Sequence, residues 1–225
     1  MRVVLLPGMD GGAGLLARFQ AALLPGHESD VHTYAPDLEA DYDALLHGLR
    51  ARLARMRGPF ALVAESFSGP LAMRLAAAPP RGLRCVVLVS TFARSPRPRL
   101  LAHAVRPCFF DRPPSPLIVR RLLLSPDADL EQVAAVRDAI RATSPQVLAA
   151  RLRAVLRVDV RQMLADAVVP GLVLHGTRDR LVPRPPEAPA RWETRPLDAP
   201  HLLLQTIPEV AAEHVTRFLG RAHGA

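Results

Sequence analysis

The chain has 225 residues, 49% of them hydrophobic and 22% charged, which is an ordinary globular composition and argues against a disordered protein. Its net charge of +8 comes from arginine alone, because the sequence contains no lysine. These arginines are spread singly and aromatic residues are only 4% of the chain, so the charge does not predict a nucleic-acid site. We interpret the excess of basic residues as a general compositional bias toward arginine.

The cysteine content and the N-terminal sequence indicate the cellular compartment in which the protein is expected. Cys85 and Cys108 cannot make a disulfide framework for a chain of this size, and we expect both thiols to be buried and inert. The apolar run at residues 3–6 is too short for a signal-peptide core or a membrane span. We therefore expect a cytoplasmic protein without a membrane-spanning segment.

The chain begins with a predicted strand at residues 2–6 that runs into a glycine-rich loop. Pro7 and Gly8 end the strand, and further glycines follow at Gly11, Gly12 and Gly14. A phosphate-binding turn is one interpretation, but the lysine of a P-loop is missing and the glycines do not have G-x-G-x-x-G spacing. Two interpretations stay open: a loop whose backbone N–H groups bind an oxyanion, and a turn that needs glycine only for its backbone angles.

A helix at residues 15–24, a strand at 30–34 and a helix at 42–56 are predicted next. Pro25 and Gly26 would end the first helix. The second helix carries a stripe of large apolar residues at spacings of three and four, which should pack on a sheet. That stripe consists of Leu45, Leu46, Leu49, Leu53 and Met56. Between strand and helix, Asp37 is interpreted as a turn or capping carboxylate.

Residues 60–78 combine a short apolar strand, a small polar turn and a run with helical periodicity. The turn, from Ala64 through Ser66 to Ser68, reads small-x-Ser-x-small. It resembles the nucleophile elbow of the α/β-hydrolases, usually written G-x-S-x-G, in which small flanking residues let a strained turn expose the serine. By this resemblance Ser66 is the candidate nucleophile.

Two other interpretations of the same turn are possible. A frame centred on Ser68 would place Pro70 at a flanking position that needs a small, adaptable residue. In the second, Ser66 or Ser68 only caps the following helix, with Pro70 in its first turn. The choice depends on whether the rest of the chain supplies a base, an acid and an oxyanion site.

A further strand at residues 85–90 is apolar throughout, which indicates a parallel sheet covered by helices on both faces. After this strand the sequence becomes rich in proline, which argues against further sheet. The prolines are at positions 96, 98, 107, 113, 114, 116 and 126. Two helical patterns follow, one from Leu130 to Ile140 and one opened by Ser144 and Pro145. We predict that residues 94–165 form a small helical cap over the strand ends. Five of its apolar residues are candidates for lining the substrate pocket, and packing between cap and core is the alternative role: Phe109, Phe110, Leu117, Ile118 and Leu122.

The acid is expected after the next strand, at residues 172–175. The loop that follows reads G-x-x-D-x-x-V-P from Gly176 to Pro183, a form similar to the acid-bearing loop of α/β-hydrolases. Asp179 takes the acid position. The alternative is an Asx-turn carboxylate.

Eight histidines compete for the role of base, and chain order selects His201. It follows the acid and lies between a short last strand, near residues 192–195, and a last helix at 208–219. Ala199 and Pro200 precede it. We interpret His175, within a strand end, and His214, on the last helix, as structural.

The order Ser66, Asp179, His201 is similar to that of the α/β-hydrolase superfamily, and the chain is identified as a member by this resemblance. Membership implies an α/β fold with a mostly parallel six-stranded sheet in the order 2-1-3-4-5-6 and helices on both faces. The core would comprise residues 1–93 and 166–225, with the cap at 94–165. The resemblance also implies that the backbone N–H groups of Met9 and Phe67 form the oxyanion hole.

These residues predict a serine hydrolase that needs no metal and no cofactor and that acts on a small-molecule carboxylic ester or thioester. Two alternatives remain: an acyltransferase or perhydrolase that uses the same triad, and a ligand-binding protein of the same fold without turnover. Glu65 precedes the nucleophile. We expect its side chain to point away from the site and to make a structural hydrogen bond.

Overall fold

The computed structural model describes residues 1–23 and 26–223, and these contain one six-stranded sheet in the order β2-β1-β3-β4-β5-β6. The strands are β1 Arg2–Leu6, β2 Ser29–Val31, β3 Phe60–Glu65, β4 Leu83–Val89, β5 Gly171–Gly176 and β6 Glu193–Leu197. All neighbouring strands run parallel. The predicted fold class and strand order are confirmed, with a sheet that is parallel throughout.

Helices cover both faces of the sheet because the strands are apolar on both sides. These helices are α1 Ala17–Leu23, α2 Tyr42–Leu53, α3 Gly69–Ala77, α8 Leu203–Thr206 and α9 Pro208–His223. Within β1, Val4 and Leu6 pack in one core cluster with α2 and α3, whereas Val3 and Leu5 pack in the opposite cluster with α1 and α9. A 3₁₀ turn, Gly14–Leu16, leads into α1; the predicted end of that helix at Pro25 lies outside the described residues.

The connection from β4 to β5 is built from short turns and helices. It contains 3₁₀ turns at Arg99–His103 and Pro107–Phe110, α4 Pro116–Ile118 with a π-helical continuation at Val119–Leu123, α5 Leu130–Arg141, α6 Pro145–Arg157 and α7 Arg161–Ala165. The two predicted helical patterns are α5 and α6. Asp129 and Ser144 cap them by accepting hydrogen bonds from Gln132 N and Val147 N.

The strand boundaries differ from the predicted ones by up to three residues, and two of the differences occur where an aromatic residue leaves the sheet. Strand β2 ends at Val31, and Tyr34 donates its backbone N–H to Gly11 O at 2.9 Å. Strand β6 begins at Glu193 because Trp192 packs across β5 instead of joining the ladder. The Trp192 indole donates to Val169 O at 3.0 Å, and its ring lies 2.0 Å from where a Cβ on Gly171 would be.

The expectation that both cysteines are buried is wrong for one of them. Cys85 is buried within β4, but Cys108 is exposed in a 3₁₀ turn, because the proline-rich segment around it lies at the surface. Across residues 1–23 and 26–223, none of the helices combines the length and the apolar character needed to cross a membrane.

Candidate active site

Ser66 lies in a tight turn between the end of β3 and the start of α3. Its φ of +46° is unusual for a residue with a side chain and marks a strained turn. Two side chains hold the turn from behind: Thr91 Oγ1 donates to Ser66 O at 2.5 Å, and the Tyr42 hydroxyl donates to Phe67 O at 2.8 Å. Gly69 permits the close approach of Thr91, since a Cβ there would lie 2.0 Å from Thr91 Oγ1. The sequence therefore folds into the strand, turn and helix expected around Ser66.

Ser68 has a different role from Ser66. Its side chain is fully buried, donates a hydrogen bond to Pro7 O and lies 2.6 Å from the Tyr34 hydroxyl. A hydroxyl engaged in this way is not available to a substrate. Ser68 instead joins the turn to the loop after β1, which explains why a serine occupies a position where glycine is common.

The structure brings Ser66, His201 and Asp179 together in one chain of hydrogen bonds. Ser66 Oγ lies 2.9 Å from His201 Nε2, and His201 Nδ1 lies 2.7 Å from Asp179 Oδ2. Gly176, at the end of β5, allows the two loops to meet, since a Cβ there would lie 2.4 Å from Ala199 O. The His201 and Asp179 side chains are both buried, so their mutual hydrogen bond is shielded from water.

Met9 lies in a turn that follows β1. Gly11 donates its N–H to Gly8 O at 3.1 Å, which closes the turn around Met9 and Asp10. Within the described part of the chain, neither the Met9 N–H nor the Phe67 N–H donates to a protein acceptor. Met9, Phe67 and Ser66 all line the same cavity. Two backbone donors are thus available beside the serine.

The cavity that contains Ser66 and His201 has a volume of about 230 Å³. Its walls are mainly apolar, and part of them comes from the π-helical segment, α5 and α6. That part of the lining includes Leu123, Val136, Ile140, Leu148, Leu152 and Val155. The expected lining by Phe109, Phe110, Leu117, Ile118 and Leu122 is wrong. Phe109, Leu117 and Ile118 are 64%, 73% and 48% exposed, because the short elements that carry them turn these side chains outward.

Two further carboxyl groups line the cavity beside the serine: Glu65, which is buried, and Asp10, which is half-buried. Glu65 Oε2 accepts a hydrogen bond from Gln205 Nε2 at 3.2 Å, and Glu65 Oε1 has no partner among the described residues. Burial, and secondarily the nearby charge of Asp10, raises the pKa of Glu65 to about 8. Burial also raises the pKa of Asp10, against the opposing effect of its hydrogen bond from Gly12 N. The expected hydrogen bond of Glu65 is present, although the residue also lines the cavity.

In the described structure, the hydrogen-bond chain of Ser66, His201 and Asp179 includes neither His175 nor His214, although His175 lies close enough to Asp179 and His201 to interact electrostatically with both. Burial lowers the pKa of His175, which lies within β5, and His214 lies on α9, on the far side of the sheet from α2 and α3. In the described residues, no three His, Cys, Asp or Glu side chains are grouped so as to hold a metal ion.

Several residues that support the site were not predicted from the sequence. Arg151 is the largest, with 1% of its surface exposed. It falls three positions after Leu148 and four after Val147, on the apolar face of α6, and an arginine in such a stripe is the pattern that could have revealed it. Thr91, Tyr34 and Tyr42 come from separate elements, and no local pattern links them to the turn at Ser66.

Comparison with known proteins gives one family and a set of solved structures. The sequence model of the Alpha/beta hydrolase family matches residues 3–214. A bromoperoxidase from Bacillus anthracis is similar, with a TM-score of 0.77 and 18% identity over 97% of this chain and 91% of that chain. An enol-lactonase from Burkholderia xenovorans LB400 has a TM-score of 0.71 and 21% identity over 100% of this chain and 91% of that chain.

A thermophilic esterase from Thermogutta terrifontis has a TM-score of 0.72 and 21% identity, over 99% of this chain and 90% of that chain. No curated protein matches the chain. At such identities the solved structures establish the fold and leave the reaction open. The family match is independent of them and spans most of the sequence. The chain therefore belongs to the alpha/beta hydrolase family.

Proposed function

We propose that the protein is a serine hydrolase that cleaves a carboxylic ester or thioester through an acyl-enzyme. The observation that carries this proposal is the hydrogen-bond chain from Ser66 Oγ to His201 Nε2, at 2.9 Å, and from His201 Nδ1 to Asp179 Oδ2, at 2.7 Å. These three hydrogen-bonded side chains lie at the carboxyl ends of β3 and β5, where ligands bind in open α/β sheets.

In the first half of the reaction, His201 Nε2 takes the Ser66 proton as Oγ attacks the carbonyl carbon. A free serine hydroxyl is a poor nucleophile at neutral pH, so this transfer is what makes the attack feasible. Asp179 accepts from His201 Nδ1, which fixes the tautomer and stabilises the imidazolium. The same imidazolium then donates its proton to the leaving alcohol or thiol as the bond to the carbonyl carbon breaks.

The negative charge that forms on the carbonyl oxygen needs donors that are already in place. We assign this role to the Met9 and Phe67 N–H groups, which have no protein acceptor among the described residues and which border the cavity at Ser66. In the second half, His201 takes a proton from water, the hydroxide attacks the acyl carbon, and Ser66 leaves with its proton restored.

We further propose that residues 94–165 act as the cap that shapes the acyl pocket. The apolar cavity wall formed by Val136, Ile140 and Leu148 supports this role. A volume of about 230 Å³ is below the roughly 300–1,000 Å³ of sites for drug-sized ligands, so the pocket suits a short acyl group. Esters of acetic to butyric acid should therefore react faster than esters of long-chain acids.

The test is hydrolysis of an activated short-chain ester, such as p-nitrophenyl butyrate, by wild-type protein and serine variants. Ser66→Ala should lower turnover by about 10²-fold or more and should abolish covalent labelling by a fluorophosphonate. Ser68→Ala is the matched control, and its labelling should persist because Ser68 only joins two loops. Unchanged turnover in folded Ser66→Ala protein would contradict the proposal.

Product analysis separates hydrolysis from transfer to another acceptor. With the butyrate ester, the proposal predicts butyric acid as the main product in water containing added methanol or hydrogen peroxide. Predominant methyl butyrate or peroxybutyric acid would instead identify an acyltransferase or a perhydrolase. Comparison of an oxygen ester with the corresponding thioester then defines which bond is preferred.

A further inference from the structure

Arg151 reaches from α6 to the loops that follow β1 and β2. Its guanidinium donates to Met9 O at 2.8 Å, to Asp10 O at 2.9 Å and to Ala35 O at 3.0 Å. Only 1% of the residue is exposed. One side chain from the segment between β4 and β5 therefore fixes two loops of the core at once.

Two of these three carbonyls belong to the central residues of the turn closed by Gly8 and Gly11. A guanidinium is planar and presents its N–H groups as a rigid fork, so it fixes the orientation of the carbonyls that it binds. The Met9 N–H lies in the same peptide plane as Gly8 O, which accepts from Gly11 N, and the Met9 and Asp10 carbonyls bound by Arg151 lie in the next two peptide planes of this turn. Fixing these carbonyls therefore restricts the turn that carries the Met9 N–H. The turn leaves room for the guanidinium because position 11 is a glycine. Gly11 has a φ of +75°, and a Cβ there would lie 2.7 Å from Arg151 Nη1.

Burial of a charge is costly unless it is compensated, and here the compensation comes from both of the loops that Arg151 binds. The Asp10 carboxylate interacts favourably with the guanidinium, and the Tyr34 ring lies 5.6 Å from Arg151 Cζ. Thr143 Oγ1, at the end of α5, also donates to Asp10 O at 2.8 Å. The segment before α6 is tied to the core by Ser144 N, which donates to Pro36 O at 3.0 Å.

We propose that Arg151 is a positioning residue that aims the Met9 N–H at the oxyanion and so couples the position of α6 to the oxyanion hole. This proposal rests on the proposed function, because it assigns Arg151 to the stabilisation of the same tetrahedral intermediate. Arg151 does not touch the reacting atoms. It acts through the Met9 and Asp10 carbonyls.

The experiment compares Arg151→Met and Arg151→Lys with wild-type protein, using Arg153→Met as a matched control. Arg153 lies on the same helix but pairs with Glu39 at 3.6 Å, away from Met9. Titration with a fluorophosphonate counts the competent Ser66 residues, so turnover can be expressed per titrated site. A purely structural role would reduce the number of sites and leave turnover per site unchanged.

For Arg151→Met we expect turnover per titrated site to fall about 10-fold or more, because one oxyanion donor is misaimed. Affinity for an alkyl trifluoromethyl ketone, which adds to serine as an anionic tetrahedral adduct, should fall in parallel, while KM changes less. Arg151→Lys should be intermediate, since an ammonium keeps the charge without the fork. Arg153→Met should match wild-type protein.

Unchanged turnover per site and unchanged ketone affinity in Arg151→Met would overturn the inference. If the methionine variant does not fold, the lysine variant decides by the same two measurements, and wild-type values there overturn it equally. Failure of the proposed function would look different, because the wild-type protein would then have no titratable Ser66.

Discussion

Asp179 binds His201 with one carboxylate oxygen and its own loop with the other. Oδ2 accepts from His201 Nδ1, whereas Oδ1 accepts from Leu181 N at 2.9 Å and Val182 N at 2.8 Å. The two backbone donors leave the carboxylate a single orientation. Asx-turn geometry, which sequence alone treats as the alternative to a catalytic acid, is thus what aims Asp179 at the histidine.

Asp179→Asn should keep the fold and lose most of the activity. The asparagine oxygen can still accept from Leu181 N and Val182 N, which turns the NH₂ group toward His201 Nδ1. The imidazole is then held in the wrong tautomer, and turnover on a short activated ester should fall by about 10²-fold or more. Asp198→Asn is the control. Asp198 pairs with the exposed Arg178, and its substitution should leave turnover unchanged. Equal losses in both variants would contradict the assignment.

Glu65 predicts a specific dependence of stability on pH. Its pKa is raised by burial from an ordinary value of 4.5 to about 8, so the folded chain keeps a proton that the unfolded chain releases above pH 4.5. The contribution of Glu65 to the free energy of unfolding is therefore fully present below pH 4.5 and falls as the pH rises to about 8. The slope is at most about 1.4 kcal/mol per pH unit for one proton.

Glu65→Gln replaces the protonated carboxyl by a group of similar shape that does not titrate. The free energy of unfolding of the wild-type protein should decrease relative to that of the variant as the pH rises from 5 to 8. Turnover of the variant at neutral pH should persist. Urea denaturation at pH 5, 6.5 and 8 measures the difference. Glu131→Gln, at an exposed position of α5, should show no such trend. A collapse of turnover in folded Glu65→Gln protein would give Glu65 a catalytic part.

Gly69 and Gly48 give opposite predictions for the same substitution. Gly69→Ala would place a Cβ 2.0 Å from Thr91 Oγ1 and 2.6 Å from Thr91 Cβ, so the turn at Ser66 must shift. We expect a loss of about 1–3 kcal/mol in the free energy of unfolding and a lower yield of fluorophosphonate-labelled protein. Gly48→Ala, within α2 and with nothing within 4 Å of its Cβ, should be neutral or stabilising by up to about 1 kcal/mol. Thermal denaturation of both variants tests the contrast.

Local patterns in the sequence were sufficient for the sheet and for the chain order of the candidate site. Buried strands such as β3 and β4 are continuous apolar runs, and the turn at Ser66 has a local signature of small residues. The strand order, which the resemblance to the α/β-hydrolases implies and local patterns do not supply, is confirmed together with the fold. The roles of Ser66, Asp179, His201, Met9 and Phe67 stay predictions, to be tested by the variants above.

Contacts between distant parts of the chain were not predictable in the same way. Arg151 binds carbonyls more than a hundred positions away in the sequence, and no spacing rule connects α6 with Met9. The predicted pocket lining is wrong for the same reason. Phe109 and Leu117 are as apolar as Val136 and Leu148, and only the tertiary packing of short proline-rich elements decides which side chains turn inward.

Ile140 tests whether α5 limits the length of the acyl chain. Its side chain lines the 230 Å³ cavity that contains Ser66, and Ile140→Ala would enlarge the cavity without touching the triad. The ratio of kcat/KM for the octanoate ester to that for the butyrate ester should rise by about 10-fold, since apolar side-chain contacts of this size discriminate by roughly 1–3 kcal/mol. Leu130→Ala is the control, because Leu130 lies on the same helix but is 76% exposed. The octanoate-to-butyrate ratio of this variant should equal that of wild-type protein. An unchanged ratio in folded Ile140→Ala protein would mean that the acyl chain lies elsewhere and that residues 94–165 do not set its length.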